Sequence, residues 1–155
     1  MDLRAKLQAE TKSAMKTRDS ARLSTLRLIG AAIKDREIAA RGGDGEGDGT
    51  LADGDLIAIL AKMVKQRQES AKAYEEGGRL ELAQKEEDEI GVIREFLPRQ
   101  LTEDEAGAAI DKVVTDLGAT GVRDMGRVMA ELRARHAGQM DFGAAGQQVK
   151  QRLLN

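Results

Sequence analysis

Residues 65–101 contain two apolar periodicities that are separated by a glycine pair and followed by the only proline of the chain. The stretch reads KQRQESAKAYEEGGRLELAQKEEDEIGVIREFLPRQL, with Gly77-Gly78 between its two halves. Apolar residues recur every three to four positions on either side of the pair, which indicates amphipathic helices rather than strands. Because the residue before a proline disfavours the α conformation, the second helix must end near Leu97. The stretch therefore predicts a helical hairpin and a boundary at Pro98.

Helical periodicity continues along the rest of the chain, and no stretch shows the alternation of a strand. Capping residues and glycines separate one apolar run from the next. Four helices are predicted before the proline: residues 2–17, a second helix capped at Asp19-Ser20, a third that is capped at Asp53 or Asp55 and ends at Gly77-Gly78, and a fourth from Arg79 to Phe96. Three helices are predicted after it. The fifth begins with a capping box of Thr102 and Glu105 and ends at Gly118, the sixth ends at Gly138, and the seventh is capped at Asp141. Met15, Ile38 and Leu80 belong to the apolar stripes that we expect to face the core.

An all-α fold in two small domains follows from this pattern. With 41% hydrophobic residues and only 2% aromatic ones, the core must be built from aliphatic side chains, as in helix-on-helix packing. We predict a helical-hairpin bundle of about four helices over residues 1–97 and a three-helix domain over residues 98–155. The glycine-rich residues 42–52 are expected to form a mobile loop, because glycine raises the entropic cost of ordering the backbone.

Composition also limits the function. The chain has no cysteine and a single histidine, His136, so disulfides, thiolate metal sites and multi-histidine metal sites are excluded. No apolar stretch has the length of a transmembrane helix or of a signal-peptide core, so we expect a cytoplasmic protein that does not contact a membrane. The net charge of −2 is not that of a strongly basic nucleic-acid binder, although residues 1–41 and 121–155 carry a positive excess.

Catalysis has little support in the sequence. General acid–base work needs titratable groups gathered in a pocket, whereas the acidic run from Glu86 to Glu89 lies on the predicted outer face of a helix, where solvation is the simpler interpretation. His136 lies near a predicted helix end, where an imidazolium favours the C-terminal dipole. The sequence has no phosphate-binding loop, nucleophile elbow or zinc signature. We therefore predict no catalytic residue and no cofactor.

One acidic segment has the spacing of a calcium loop. Positions one, three, five and twelve of an EF-hand-like loop would be filled by Asp44, Glu46, Asp48 and Asp55. Such loops normally end on a bidentate glutamate, for which the shorter aspartate is a poor substitute. An acidic linker is therefore the preferred interpretation, calcium binding is kept as the alternative, and no metal site is predicted.

Three segments of the chain together resemble a known family. They are RLSTLRLIGAAIKDREI at residues 22–38, KMVKQRQESAKAYEEGGRLELAQKEEDEIGVIREFLPRQL at residues 62–101, and RDMGRVMAEL at residues 123–132. In this order and spacing they resemble the YqeY-like proteins of the GatB/YqeY family. The resemblance runs from near residue 3 to near residue 153.

The resemblance implies a role beside transfer RNA. The C-terminal half of the family is similar to the tail domain of GatB, one of the subunits of the glutamine-dependent aspartyl/glutamyl-tRNA amidotransferase, a carbon–nitrogen ligase with glutamine as amido donor. That helical tail helps to hold tRNA, and its pattern corresponds here to Val128-Met129, Gly138 and Val149 to Leu154, although the turn GQMDFG differs from the shorter turn of the amidotransferase tail. The catalytic domain of GatB has no counterpart in this sequence. The resemblance thus implies an accessory or binding protein, not an enzyme acting alone.

Six basic residues near the C-terminus are the candidate RNA contacts, namely Arg123, Arg127, Arg133, Arg135, Lys150 and Arg152. Such side chains neutralise phosphates, and because no aromatic residues interleave them, the shape of a folded RNA is a better match than stacked single-stranded bases. The expected partners are tRNA and the amidotransferase or the aminoacyl-tRNA synthesis machinery. No DNA binding is expected.

A second basic set lies in the N-terminal domain and consists of Arg22, Arg27, Lys34, Lys65 and Arg67. These residues could form a partner surface opposite the acidic fourth helix, and ion pairing between helices is the simpler interpretation. The alternative to a tRNA-associated accessory protein is therefore a helical protein–protein interaction module without RNA binding.

Overall fold

The structure is a computed structural model that describes residues 2–41 and 51–154. Over these residues it contains seven α-helices, one 3₁₀ turn and no β-strand, so the all-α prediction is confirmed. The helices are α1 (Leu3–Thr17), α2 (Ser20–Arg41), α3 (Asp53–Glu76), α4 (Leu80–Arg94), α5 (Glu103–Leu117), α6 (Met125–Arg135) and α7 (Phe142–Leu154), and the 3₁₀ turn is Val122–Asp124. The predicted glycine-rich loop falls mainly on residues 42–50, outside the described residues, together with Asp44, Glu46 and Asp48 of the EF-hand-like spacing.

The contacts between helices divide the chain into two compact units, Met1–Leu97 and Pro98–Asn155. The first unit contains α1 to α4, and the second contains α5 to α7 with the 3₁₀ turn. Each unit buries a hydrophobic cluster of its own. Two separate small cores are what a chain of this length and hydrophobic content can support.

The core of the first unit is built from aliphatic side chains, as the composition predicts. α3 and α4 pack along each other as a hairpin, and α2 packs against α4. The side chains at the centre are at most 1% exposed and are Leu26, Ile29, Leu56, Leu60, Ile90 and Ile93. Truncation of one such side chain to alanine typically costs about 2–5 kcal/mol.

The α3–α4 hairpin ends in a glycine turn. Gly78 has a φ of 75°, in the left-handed region where a Cβ atom would be strained. The amide of Arg79 donates to the carbonyl of Tyr74 at 2.8 Å, which closes the end of α3 in the manner of a Schellman cap. Before and after this turn the helices bury Ala71 and Ala83, which are small enough to let the two backbones approach closely.

Local signals in the second unit place its helices as the sequence predicts. The hydroxyl of Thr102 accepts from the amide of Glu105 at 3.1 Å, and the Glu105 carboxylate accepts from the amide of Thr102 at 3.0 Å, so the predicted capping box is confirmed. Gly118 ends α5 with a φ of 61°, and the Asp141 carboxylate accepts from the amide of Gly143 at the start of α7. The side chains at the centre of the unit are unexposed and are Ile110, Val113, Val128, Leu132 and Val149.

Three residues that we expected to face the core are exposed instead, namely Met15 (54%), Ile38 (55%) and Leu80 (66%). Met15 follows Ala14, which takes the buried position in the last turn of α1. Ile38 lies five residues after the buried Ile33, a rotation that turns it away from the core. Leu80 is the first residue of α4, in a stretch that is exposed at most positions of residues 75–81.

Three predicted helix boundaries also differ from the structure. α6 ends at Arg135 rather than at Gly138. The cap of α3 is Ala52 rather than Asp53 or Asp55, and the Asp55 carboxylate accepts from the amide of Ala52 at 3.2 Å. α4 spans Leu80–Arg94 rather than Arg79 to Phe96. Phe96 follows the helix in a turn and is nevertheless buried, because it closes one end of the core.

Gly91 and Gly78 differ in the sign of φ, which decides how substitution by alanine changes the stability of the first unit. A Cβ atom at either residue would meet nothing within 4 Å, but only Gly78 has a positive φ. We expect Gly91→Ala to stabilise the first unit by about 0.5–1 kcal/mol. We expect Gly78→Ala to destabilise it by about 1–2 kcal/mol. Urea denaturation followed by circular dichroism measures both, and a loss of stability in Gly91→Ala would contradict the open position in α4.

Glu105 makes the second unit sensitive to acid. Hydrogen bonds from the Arg99 guanidinium, and then from the amide of Thr102, lower the pKa of Glu105 from its ordinary 4.5 to about 2. Because the folded state holds the lower pKa, this carboxylate stabilises the fold fully above about pH 4.5, and the contribution is lost as the pH falls towards 2. Glu105→Gln is expected to lower the melting temperature at pH 7 and to leave it unchanged near pH 2.

Glu103 provides the matched control for this experiment, since it lies in the same helical turn and its carboxylate makes no hydrogen bond or ion pair with the described residues. Thermal unfolding of Glu105→Gln and Glu103→Gln at several pH values separates the two positions. Equal pH dependence of the melting temperature in both variants would show that the capping box is not the source of the acid sensitivity.

Candidate nucleic-acid interface

The six candidate RNA contacts of the second unit fall into two groups in the structure. The 3₁₀ turn carries Arg123, α6 carries Arg127, Arg133 and Arg135, and α7 carries Lys150 and Arg152. Three of them make ion pairs with carboxylates of the unit, whereas three make no ion pair with any residue in the described ranges. The sequence pattern gives no reason to separate the six residues, whereas ion pairing in the structure divides them into two groups.

Arg135 and Arg152 are directed towards α5. Arg135 donates to Asp116 and to Glu131, each at 2.9 Å, and Arg152 donates to Asp111. The hydrogen bond from Arg135 lowers the pKa of Asp116 and, reciprocally, raises the pKa of the guanidinium. These pairs connect α6 and α7 to α5, so both arginines are partly used in holding the three helices together.

Glycine in α5 helps to seat one of these arginines. A Cβ atom at Gly107 would lie 3.5 Å from a terminal nitrogen of Arg152. The guanidinium therefore lies against bare backbone one helical turn before Asp111. Sequence spacing could not reveal this contact, because Arg152 and Asp111 are 41 residues apart.

Arg127 has a structural contact as well. Its guanidinium donates to the carbonyl of Leu117 at 3.3 Å and to the Asp124 carboxylate at 3.1 Å, which connects the end of α5 to the start of α6. Hydrogen bonds from the amide of Thr120 and from Arg127 lower the pKa of Asp124. The Arg127 side chain is still 56% exposed, so it can contact a ligand without breaking this network.

The second group consists of Arg123, Arg133 and Lys150, which are all exposed. Arg133 lies over the ring of Phe142, with 5.7 Å between the guanidinium carbon and the ring centroid, so it is on the side of α6 that adjoins α7. The 3₁₀ turn that carries Arg123 also packs on α7, the helix of Lys150. All three cations thus belong to the part of the unit formed by α6, α7 and the turn, whereas Arg135 and Arg152 are held by carboxylates of α5.

This arrangement can neutralise phosphates and has little capacity to stack bases. Exposed cations without a carboxylate partner attract phosphates without first having to break an ion pair. Phe142 is the one aromatic residue of this unit in the described part of the chain, and it is half-buried beneath Arg133. Stacking on successive aromatic rings, as single-strand binders use, is therefore not available here.

Two of the five candidate basic residues of the first unit are held in ion pairs. Arg22 donates to Glu10 at 2.9 Å and to Glu95 at 2.6 Å, which raises the pKa of its guanidinium, chiefly through Glu95. Arg67 donates to Glu89 of α4 at 2.9 Å. Both arginines are therefore occupied in ion pairs with other elements of their own unit.

The three remaining cations of this set are exposed and make no ion pair with a described residue. Arg27 and Lys34 are seven residues apart on α2 and so lie on one face of that helix, while Lys65 lies on α3. Arg67 is two residues after Lys65 and points towards α4 instead. Two of the five residues of the predicted partner surface are thus held in ion pairs, and the other three are exposed.

The acidic run of α4 is less solvated than the sequence suggests. Glu89 is only 18% exposed and faces Arg67, so this part of the expectation is wrong. Asp88 accepts from Gln84 at 2.8 Å on the outer side of the same helix. Because successive residues of a helix are about 100° apart around its axis, Glu89 is directed towards α3 and Asp88 stays on the outer side.

His136 lies at the end of α6. Its amide donates to the carbonyl of Leu132 at 2.9 Å, and its Nδ1 lies 3.2 Å from the side-chain oxygen of Gln139. The first contact closes the last turn of α6, and the second belongs to the turn that follows the helix. Over residues 2–41 and 51–154 no three His, Asp or Glu side chains converge in a way that could hold a metal ion.

Fold and site together define a class of protein: a small helical chain of two units, with exposed cations in the second unit and no assembled catalytic centre in the described residues. The chain belongs to the YqeY-like family, because the family model described as Yqey-like protein matches residues 4–153. The match covers both units. The catalytic domain of an amidotransferase is not present in the part of the chain that the structure describes.

Yeast proteins named altered inheritance of mitochondria protein 41, mitochondrial, are similar to this chain. The one from Lachancea thermotolerans is 30% identical over 119 residues, which is 76% of this chain and 60% of that protein. The one from Eremothecium gossypii is 31% identical over 134 residues, which is 84% of this chain and 70% of that protein. The one from Meyerozyma guilliermondii is 36% identical over 91 residues, which is 59% of this chain and 44% of that protein.

The names of these relatives place them in mitochondria and state no ligand or reaction. The matched segment spans about 60% of the length of the first relative, so the activity of the whole relative does not transfer directly. In the ranges that the structure describes, no helix is long and apolar enough to cross a membrane.

Proposed function

We propose that the protein is a tRNA-associated accessory protein that acts beside glutamine-dependent tRNA amidation. Its membership of the YqeY-like family supports this, since the C-terminal half of that family is similar to the tail domain of the amidotransferase protein GatB. The observation that carries the proposal is a group of exposed cations in the second unit, Arg123, Arg133 and Lys150, which make no ion pair with any described residue. The proposed activity is binding, not catalysis.

Phosphate contacts supply the binding energy in this proposal. Arg123, Arg133 and Lys150 meet the RNA backbone directly, and the exposed Arg127 adds to the same field. Arg135 and Arg152 contribute less, because a phosphate must compete with their carboxylates on α5. The bound RNA is a folded one such as tRNA, since its phosphates are arranged in space and no base has to stack on an aromatic ring.

The partner in this proposal is an amidotransferase or another component of aminoacyl-tRNA synthesis. A chain that holds the body of a tRNA would supply the function of the tail to a separate catalytic complex, which transfers the amide nitrogen of glutamine. Co-purification of amidotransferase subunits with the protein tests this part separately from RNA binding.

We also propose a cytoplasmic location, where the charged tRNAs would be encountered. The mitochondrial names of the yeast relatives give the competing location. Immunofluorescence or fractionation of the native protein decides between them, and recovery in mitochondria would contradict the cytoplasmic proposal without affecting the RNA proposal.

Replacing Arg123, Arg133 and Lys150, which make no ion pair with a described residue, is expected to weaken tRNA binding. The variant Arg123→Gln/Arg133→Gln/Lys150→Gln should bind tRNA about ten-fold or more weakly at moderate salt and with a shallower salt dependence, because each lost phosphate contact removes attraction and lowers the number of counterions released on binding. Filter binding or fluorescence anisotropy with bulk tRNA at several salt concentrations measures both quantities.

A matched control removes the same charge from the first unit. The variant Arg27→Gln/Lys34→Gln/Lys65→Gln also loses three exposed cations that make no ion pair with a described residue. It should keep nearly all of its tRNA affinity. Equal loss in both variants would mean that general charge attraction drives binding, and no tRNA binding by the native protein would favour a protein–protein interaction module.

A further inference from the structure

A cleft of about 390 Å³ lies between α1 and α2 in the first unit. This volume falls within the range of small-molecule sites in proteins. The residues that line it come from one face of each helix and are Arg4, Leu7, Gln8, Gly30, Ile33, Lys34, Glu37, Ile38 and Arg41. The cleft takes no part in the proposed RNA contacts.

The cleft has open space above Gly30. Gly30 lies in the middle of α2, and a Cβ atom added there would meet no atom within 4 Å. Glycine inside a helix is less favourable than alanine, by about 0.5–1 kcal/mol, so the position is not explained by helix stability. The floor beside it is apolar, since Leu7 and Ile33 belong to the core cluster and turn one side towards the cleft.

An exposed isoleucine extends the apolar surface to the rim. Ile38 is 55% exposed and lines the cleft, although the sequence pattern predicts it in the core. An aliphatic side chain that is mostly exposed gains little from burial in the free protein. Together with Gly30, Leu7 and Ile33 it forms a surface that an aliphatic group can cover.

The rim of the cleft carries an excess of positive charge. Arg4 and Glu37 join the two helices through an ion pair of 3.0 Å. The second terminal nitrogen of Arg4 is buried and has no hydrogen-bond acceptor, the one such side-chain atom among the described residues. Lys34 makes no ion pair with any described residue and lies one helical turn after Gly30 on the same face of α2.

An unsatisfied buried donor is costly, because the protein has removed it from water without giving it an acceptor. A small rotation of the Arg4 guanidinium towards the cleft would give this nitrogen an acceptor if an anion were bound there. The same anion would meet the ammonium of Lys34. The charge at the rim and the apolar floor therefore match a ligand with both an anionic head and an aliphatic body.

We propose that the α1–α2 cleft binds a small aliphatic carboxylate. The carboxylate head lies between Lys34 and Arg4, and the aliphatic body covers Gly30, Leu7 and Ile33 with Ile38 against its side. This inference goes beyond the proposed function, since the RNA contacts lie in the second unit.

Octanoate is a suitable probe, and ¹H–¹⁵N spectra of the full chain report where it binds. Octanoate is expected to shift the amide signals of α1 and α2 residues at the cleft in a saturable way. Gly30→Leu fills the cleft from a position with open space above it, so it should fold and lose the saturable shifts. Lys34→Gln should bind octanoate about ten-fold more weakly, because it removes a charged hydrogen-bond donor.

The control variant is Lys12→Gln, which removes an exposed lysine of α1 outside the cleft and should bind as the native protein does. Octanol and inorganic phosphate test the two halves of the ligand separately, and each should bind more weakly than octanoate. The proposal is overturned if octanoate causes no shifts at the cleft, if Gly30→Leu leaves the affinity unchanged, or if either half-ligand binds as tightly. tRNA binding can succeed or fail independently of all these results.

Discussion

The structure depends on one constraint, which is that a chain nearly without aromatic residues must build its cores from aliphatic side chains on closely packed helices. Small residues allow this close approach, as at Ala71 and Ala83 between α3 and α4. Each unit consequently has a small core of its own, in which Ile93 and Val113 are completely unexposed. Outside the cores, ion pairs between charged side chains connect helices within each unit.

Arginine illustrates how those charged groups are divided between structure and binding. Arg22 and Arg67 connect helices of the first unit, and Arg152 connects α7 to α5 in the second. Such pairs are partly exposed, and each contributes little to stability by itself. In the proposed function, an arginine held by a carboxylate is less available to a phosphate than Arg123, which makes no ion pair with a described residue.

Helix positions could be predicted from the sequence wherever the signal was local. The capping box of Thr102 and Glu105 and the glycine at 118 are decided by residues within one helical turn, and the structure agrees with them. Burial of Leu80 was predicted wrongly, because periodicity gives a direction around the helix but not the presence of a neighbour. The pairing of Arg152 with Asp111 was also beyond prediction, since it joins residues that only the tertiary packing brings together.

The exposed turn at the end of the α3–α4 hairpin offers an experimental advantage. Residues 75–81 are exposed almost throughout, and the natural chain contains no cysteine. One cysteine introduced at Glu76 would therefore be the only thiol of the molecule and would lie at the end of the hairpin, away from the buried centre of the first unit. A fluorophore or spin label attached there would be chemically homogeneous and would leave both cores undisturbed.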